Sequence, residues 1–339
     1  MKVCIATILA FGYHDRESPR HWTVCEALKK EDVRIIECHT TEKGLMGKLR
    51  DLRGKFRQQK DIDAVLVPFP GHFLMLFAWW LTRAPRKRLI FDAFISLYDT
   101  EVGDRRRFSR WNPWAWLLFF IDWLSMHLAD EVLIDTEAHK KFLMSTFHLQ
   151  PSRIKVIYLE ARPDLFYPAE RLKTTGQNFE VFFYGTLIPL QGVEYILEAA
   201  RILERKSAAV HFTFVGTGKL KELIESAGLR SVTIHSFIPL SELPDFIRNA
   251  DLCLGIFGTS GKAQRVIPHK VIDAVACGIP VLTADTPALR ERFEHHPLVH
   301  TVPAGNAEAI ANAIIVILSG AKDEEGGHSV AQHASLRSA

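Results

Sequence analysis

The sequence predicts two tandem α/β domains, each a doubly wound parallel sheet with helices on both faces. Three observations carry this. Short β-rich runs alternate with helix-length segments, as strands joined by helical crossovers do. The same rhythm restarts after a polar stretch at residues 171–178. The chain has 339 residues, 47% hydrophobic and 24% charged, which is enough apolar surface for two cores and too much for a disordered chain.

Taken in order, the first domain is expected over residues 1–170, with strands at 3–9, 33–38, 64–68, 89–91, 132–135 and 155–158. A hinge is expected near 160–180. The second domain, 171–318, has strands at 181–184, 211–215, 232–237, 252–256, 281–283 and 298–302, and closes on an apolar helix at 307–318. Residues 319–339 hold almost no large apolar side chain, so they cannot repay the entropy of ordering and read as a frayed tail. No short internal repeat is visible.

Charge is unevenly placed. Residues 1–178 hold 28 Lys and Arg against 22 Asp and Glu, whereas 179–316 hold 12 against 14. The five cysteines, Cys4, Cys25, Cys38, Cys253 and Cys277, lie in apolar stretches with no C-x-x-C pair. They indicate neither a disulfide framework nor a structural zinc site, and point to the reducing cytoplasm. The first apolar run is too short for a signal peptide. Residues 111–128 (WNPWAWLLFFIDWLSMHL) carry one charge, Asp122, and follow Arg105, Arg106, Arg107 and Arg110. Pro113 and the length argue against a spanning helix. Two readings remain: a buried helix with Asp122 and His127 at its polar edge, slightly favoured, or an interfacial helix whose tryptophans settle among lipid headgroups beside arginines that meet anionic lipid.

In a doubly wound sheet, ligands bind beyond the carboxyl ends of the strands. The second domain offers three such loops. Tyr184-Gly185-Thr186 ends its first strand, and Gln191-Gly192 opens the next helix, where free N–H groups can meet an anion. Val215-Gly216-Thr217-Gly218 ends the second strand and is weak evidence alone. Residues 258–291 are the most informative. Pro268 suits the first position of a helix and Gly278 its end, and the loop before it holds Lys262 and Arg265. Cations beside a helix start suit phosphate. Lys270 and Asp273 share a helical face, where a cation can hold a diphosphate while a carboxylate accepts from sugar hydroxyls. A solvated Lys–Asp pair is the plain alternative.

On the stretches FYGTLIPLQGVEYILEAARIL, FVGTGKLKELI, SELPDFIRNADLC and PHKVIDAVACGIPVLTAD, in that order, residues 181–316 resemble the donor domain of glycosyltransferase family 4, the group 1 type. The amino-terminal half resembles a less defined branch of sugar transferases through FPGH, FDAFISLYDT and ADEVLIDTEAH. The resemblance implies the GT-B architecture of two facing Rossmann-like domains with a cleft between them, and retaining transfer without an obligatory metal. It implies a nucleotide diphosphate sugar as co-substrate, with no other cofactor. It also marks departures. Thr186 and Gln191 stand where the family places an arginine and a lysine on donor phosphate, and the E-x7-E pair falls on Arg265 and Asp273, which reverses the first charge. Lys262, Arg265 and Lys270 are expected to restore the missing positive charge.

In the first domain Asp92 follows the fourth strand, where many relatives carry a histidine toward the transferred sugar. Asp92 and Arg265 are therefore the catalytic candidates. Tyr13, Arg20 and Asp99 are the acceptor-side candidates, with a helix-capping role as the alternative for Asp99 and a plain surface role for Arg20. His72 and His139 read as loop or capping residues, and His295-His296 as an exposed turn. No His, Cys and Asp residues show metal-ligand spacing, no P-loop or nucleophile elbow occurs, and no groove-reading motif accompanies the basic half, so nucleic acid is not an expected partner. The expected function is a metal-independent retaining hexosyltransferase, acting on a carbohydrate or lipid-linked acceptor, cytoplasmic and in peripheral contact with anionic membrane. The alternative is a catalytically impaired sugar-nucleotide-binding or partner protein.

Overall fold

The computed structural model describes residues 5–84, 86–169 and 178–320. Two compact units emerge. The first takes the chain up to Arg162 together with Ser260–His269 and Pro287–Arg292; the second takes Pro163–Thr259, Lys270–Thr286 and the chain from Phe293 onward. The two short returning segments were expected in the second domain from their sequence position. Most of the hinge, 170–177, and the tail from 321 lie outside the described residues.

In the first unit, β1 (Thr7–Gly12), β2 (Arg34–His39), β3 (Ala64–Val67), β4 (Arg88–Asp92), β5 (Glu131–Ile134) and β6 (Ile154–Val156) run in the order β2-β1-β3-β4-β5-β6. All pairs are parallel. The first strand lies further on than the expected 3–9, because the apolar run continues through Ala10-Phe11, which is fully buried. In the second unit, β7 (Phe179–Tyr184), β8 (Val210–Val215), β9 (Val232–His235), β10 (Leu252–Leu254), β11 (Val281–Ala284) and β12 (Val299–Val302) run in the order β12-β11-β10-β7-β8-β9, again parallel. Numbered from β7, that is the dinucleotide-fold order 3-2-1-4-5-6, so strand order reverses between β7 and β10. In the first unit it reverses between β1 and β3. Each unit has its own apolar core, around Phe11, Phe91 and Phe147 in one and Phe183, Phe214 and Phe257 in the other.

Helix starts follow from their caps. Ser18 accepts from His21 N at α1 (Pro19–Lys29), Asn112 from Trp114 N at α2 (Pro113–Leu128), and Thr136 from His139 N at α3 (Glu137–Phe147). Proline occupies the first turn of the first two.

Helix α2 is not the buried helix favoured from sequence. Its fully buried residues are Ala115, Asp122, Ser125 and Met126, with Phe119 and Trp123 partly buried against the core, whereas the tryptophans at its start point out: Trp111, just ahead of the helix, is 72% exposed, Trp114 61% and Trp116 59%. Asp122 lies not at a polar edge but fully inside, accepting from Ser96 Oγ at 2.7 Å, Tyr98 N at 2.9 Å and Leu97 N at 3.1 Å. Ser125 donates to His72 O at 3.0 Å. Small and hydrogen-bonding side chains let this face approach the loop closely, which leaves the bulky side outward. Among the described residues no helix is long and apolar enough to cross a membrane.

Candidate functional site

The second unit builds a cradle at its switch point. β7 ends in Tyr184, and Gly185 follows at φ +136°, a conformation side chains rarely adopt. A Cβ there would lie 3.2 Å from Lys270 Nζ. Glycine therefore leaves backbone and ammonium side by side. Lys270 opens α4 (His269–Ala276), donates to Gln191 Oε1, and stands over the Phe183 ring at 3.8 Å from its centre. It is 5% exposed, which rules out the solvated Lys–Asp pair, and burial pushes its pKa well below 10.5. An ammonium so placed gains strongly from an anion brought beside it. Next to it, Tyr184, Gly185, Thr186, Gly216, Thr217 and Phe237 help to line an open cavity of about 270 Å³.

Asp273 does not offer an open carboxylate. It is buried and accepts from Tyr184 Oη at 2.6 Å, so it braces the end of β7 from α4. Burial, then the charge of Asp273, hold the Tyr184 hydroxyl well above its ordinary pKa, so it remains the donor. Tyr184 was missed from sequence because its place at a strand end says nothing of its partner. Gly278 ends α4 in a left-handed conformation, as expected.

Lys262, Arg265 and Pro268 fall in the first unit, whereas Lys270 falls in the second. Arg265 donates through one terminal nitrogen to both carboxylate oxygens of Asp99 at 2.7 Å, and its guanidinium covers the Phe142 ring at 4.1 Å. Lys262 donates to Thr100 Oγ1 at 2.8 Å, and Ser260 to Asp104 Oδ1 at 2.7 Å. Burial lowers the Lys262 pKa against the opposing charges of Asp104 and Asp99. These acids lie on a π-helical turn, Asp99–Asp104, so the SLYDT motif anchors the loop at 260–265. Pro268 sits half-buried just ahead of α4.

Asp92 and Arg20 also meet. Asp92, at the carboxyl end of β4, is 1% exposed. Arg20 Nη2 donates to it at 2.7 Å and Nε at 3.0 Å, while Nη1 donates to Ile157 O at 2.6 Å. The catalytic candidate and an acceptor-side candidate thus form a buried ion pair, with Arg20 inside rather than a surface residue. Tyr13 is half-buried under Lys48 Nζ, 4.1 Å from its ring centre, and burial raises its pKa. His72 is buried against Asp122 at 3.4 Å, and burial lowers its pKa to about 4. His139 pairs with Asp135 at 2.9 Å, a contact no motif announced.

Residues 178–320 match the family model described as Glycosyl transferases group 1. The chain is 26% identical over 154 residues to the amylovoran biosynthesis glycosyltransferase AmsK of Erwinia amylovora, covering 43% of this chain and 38% of that protein. It is 23% identical over 188 residues to the D-inositol 3-phosphate glycosyltransferase of Thermobispora bispora, covering 50% and 43%. The chain thus spans less than half the length of these relatives. In structure it is similar to Anabaena HepE in complex with UDP, with a TM-score of 0.64 at 16% identity, covering 94% of this chain and 90% of that one. That likeness shows a shared GT-B fold.

Proposed function

Because its residues 178–320 match the family model of the group 1 glycosyl transferases, we propose that this chain is a retaining glycosyltransferase taking a hexose from a nucleotide diphosphate sugar. The observation that carries the reading is the cradle at Gly185, with the buried Lys270 ammonium beside bare backbone at the switch point of the second sheet. The nucleotide is placed in the cavity at the ends of β7 and β8, and its diphosphate over Gly185. Lys270 then meets the charge of the departing diphosphate in place of a metal; the Gln191 and Gly192 N–H groups, expected from sequence to be free, donate to Ile188 O and Pro189 O. The HepE structure holds UDP, which makes uridine diphosphate sugars the first donors to try.

The acceptor is assigned to the first unit and to a lipid-linked class. Phe73, Leu76 and Trp80 are exposed on that unit, as are Trp114, Leu117 and Phe120 of α2. Exposed apolar side chains of this kind are costly in water and suit the headgroup level of a bilayer. Arg105, Arg106, Arg107 and Arg110, just before α2, supply the attraction to anionic lipid. A cytoplasmic place at the membrane follows, in keeping with the buried Cys25, Cys38, Cys253 and Cys277, which form no disulfide among the described residues.

The test is release of nucleoside diphosphate from a panel of sugar nucleotides, with thermal shift on the same samples. Turnover with one donor and a raised midpoint is expected. A raised midpoint without turnover toward water or acceptor extracts would favour the binding protein, and no shift with any nucleotide would sink both.

A further inference from the structure

His14, His21 and Glu37 are distant in sequence and converge in the first unit. His14 follows β1, His21 lies in the first turn of α1, and Glu37 is on the edge strand β2. Glu37 Oε2 lies 3.1 Å from His14 Nε2, and Oε1 lies 3.0 Å from His21 Nε2. One ligating atom from each residue falls within 4.8 Å of the others. The two imidazoles are buried, with ring centres 4.3 Å apart, whereas Glu37 keeps an exposed side.

The protein alone serves these groups poorly. Two Nε2 atoms facing one carboxylate must both carry protons, which leaves both Nδ1 atoms buried without a partner. A divalent ion held by the two Nε2 lone pairs would have the Glu37 carboxylate as its counter-charge. Tetrahedral ligands at zinc distances stand about 3.3 Å apart, and each imidazole Nε2 here lies 3.0–3.1 Å from a Glu37 oxygen, with one ligand atom per residue within 4.8 Å of the others.

We propose that His14 Nε2, His21 Nε2 and a Glu37 carboxylate oxygen form a divalent transition-metal site suited to Zn²⁺, with a further position open on the exposed side of Glu37. Two imidazoles and one carboxylate are a ligand set that zinc takes with an open position. The ion ties the loop after β1 and the start of α1 to the edge strand β2. Cys25 Sγ, 3.4 Å from His21 Nε2, is outside the ligand set. The site is separate from the Gly185 and Lys270 cradle and does not rest on the transferase reading.

The test uses the full chain stripped with a chelator and titrated with Zn²⁺ by calorimetry, and with Co²⁺ by visible absorption. One ion per chain is expected, with weak d–d bands of N/O coordination and a higher unfolding midpoint. Glu37→Gln and His21→Gln should each weaken Zn²⁺ binding by at least about tenfold, the scale for disturbing a metal's ligand sphere, while Cys25→Ser leaves it unchanged. Absence of binding by the parent at about 100 µM Zn²⁺ overturns the proposal, since a site of this kind stabilises the fold well below that level. So does unchanged affinity in the Glu37 and His21 variants. If Glu37→Gln fails to fold, His21→Gln and the parent Co²⁺ spectrum decide by the same criteria.

Discussion

Replacing Asp92 by alanine separates a brace from a catalyst. Asp92 and Arg20 are almost wholly buried and joined by close N–H···O contacts, the shortest 2.7 Å. Removing the carboxylate strands a guanidinium whose one other acceptor here is Ile157 O, and breaking a buried pair from one side costs about 3–5 kcal/mol. At about 2–4 °C per kcal/mol for a unit of this size, the first unit should melt roughly 10 °C lower. Arg20→Met leaves Asp92 uncompensated and should cost a similar amount. The double variant removes both charges and keeps an apolar stem in place, so it should recover much of the loss, with a coupling energy of about 2–4 kcal/mol. Calorimetry, with urea unfolding to check that the slope is constant, measures all four proteins, and nucleoside diphosphate release is read well below the lowest transition. A single variant within about 1 kcal/mol of the parent, or losses that simply add, would refute the brace. A stable double variant that releases no diphosphate would return Asp92 to the chemistry.

Lys270→Met should weaken nucleotide diphosphate binding while stabilising the free protein. The folded pKa lies below the unfolded 10.5, so the unfolded state binds more protons and parent stability climbs as pH rises toward that value; urea midpoints across pH should show the climb in the parent and not in the variant. Asp122, raised by burial from 3.8 to about 6, works the other way: the folded state holds the extra proton, so its contribution is lost as pH rises through that window. Asp122→Asn should remove about 3 kcal/mol of this pH dependence, seen as a parent-minus-variant difference, since His72, lowered to about 4, opposes it over much of the same range. Trp114→Ala should weaken cosedimentation with anionic vesicles in high salt by up to about 3 kcal/mol, from the exposed area of one tryptophan; Gln at 105, 106 and 107 together should reduce only the salt-sensitive part. No vesicle binding by the parent would remove the membrane surface.

The sequence by itself determined what local chemistry and periodicity control. Strand-length apolar runs set the twelve strands of the described residues, Ser18, Asn112 and Thr136 set helix starts, and the restart after 178 set two sheets. Gly185, Gln191 and Lys270 were legible as a group because a strand end, a helix start and a cation each carry a local signal, and the switch point brings them together. Tertiary structure alone decided the partners. Nothing near Asp92 in the chain says that Arg20, 72 residues away, neutralises it, nor that Asp99 holds Arg265 across 166 residues. Asp273 looked like an open carboxylate until Tyr184 was seen to hold it. The apolar run at 111–128 could not reveal its inward side, because composition fixes hydrophobicity but not which face meets the loop that Asp122 satisfies. The His14, His21 and Glu37 cluster has no linear spacing to read, since it exists only when a loop, a helix and an edge strand fold together.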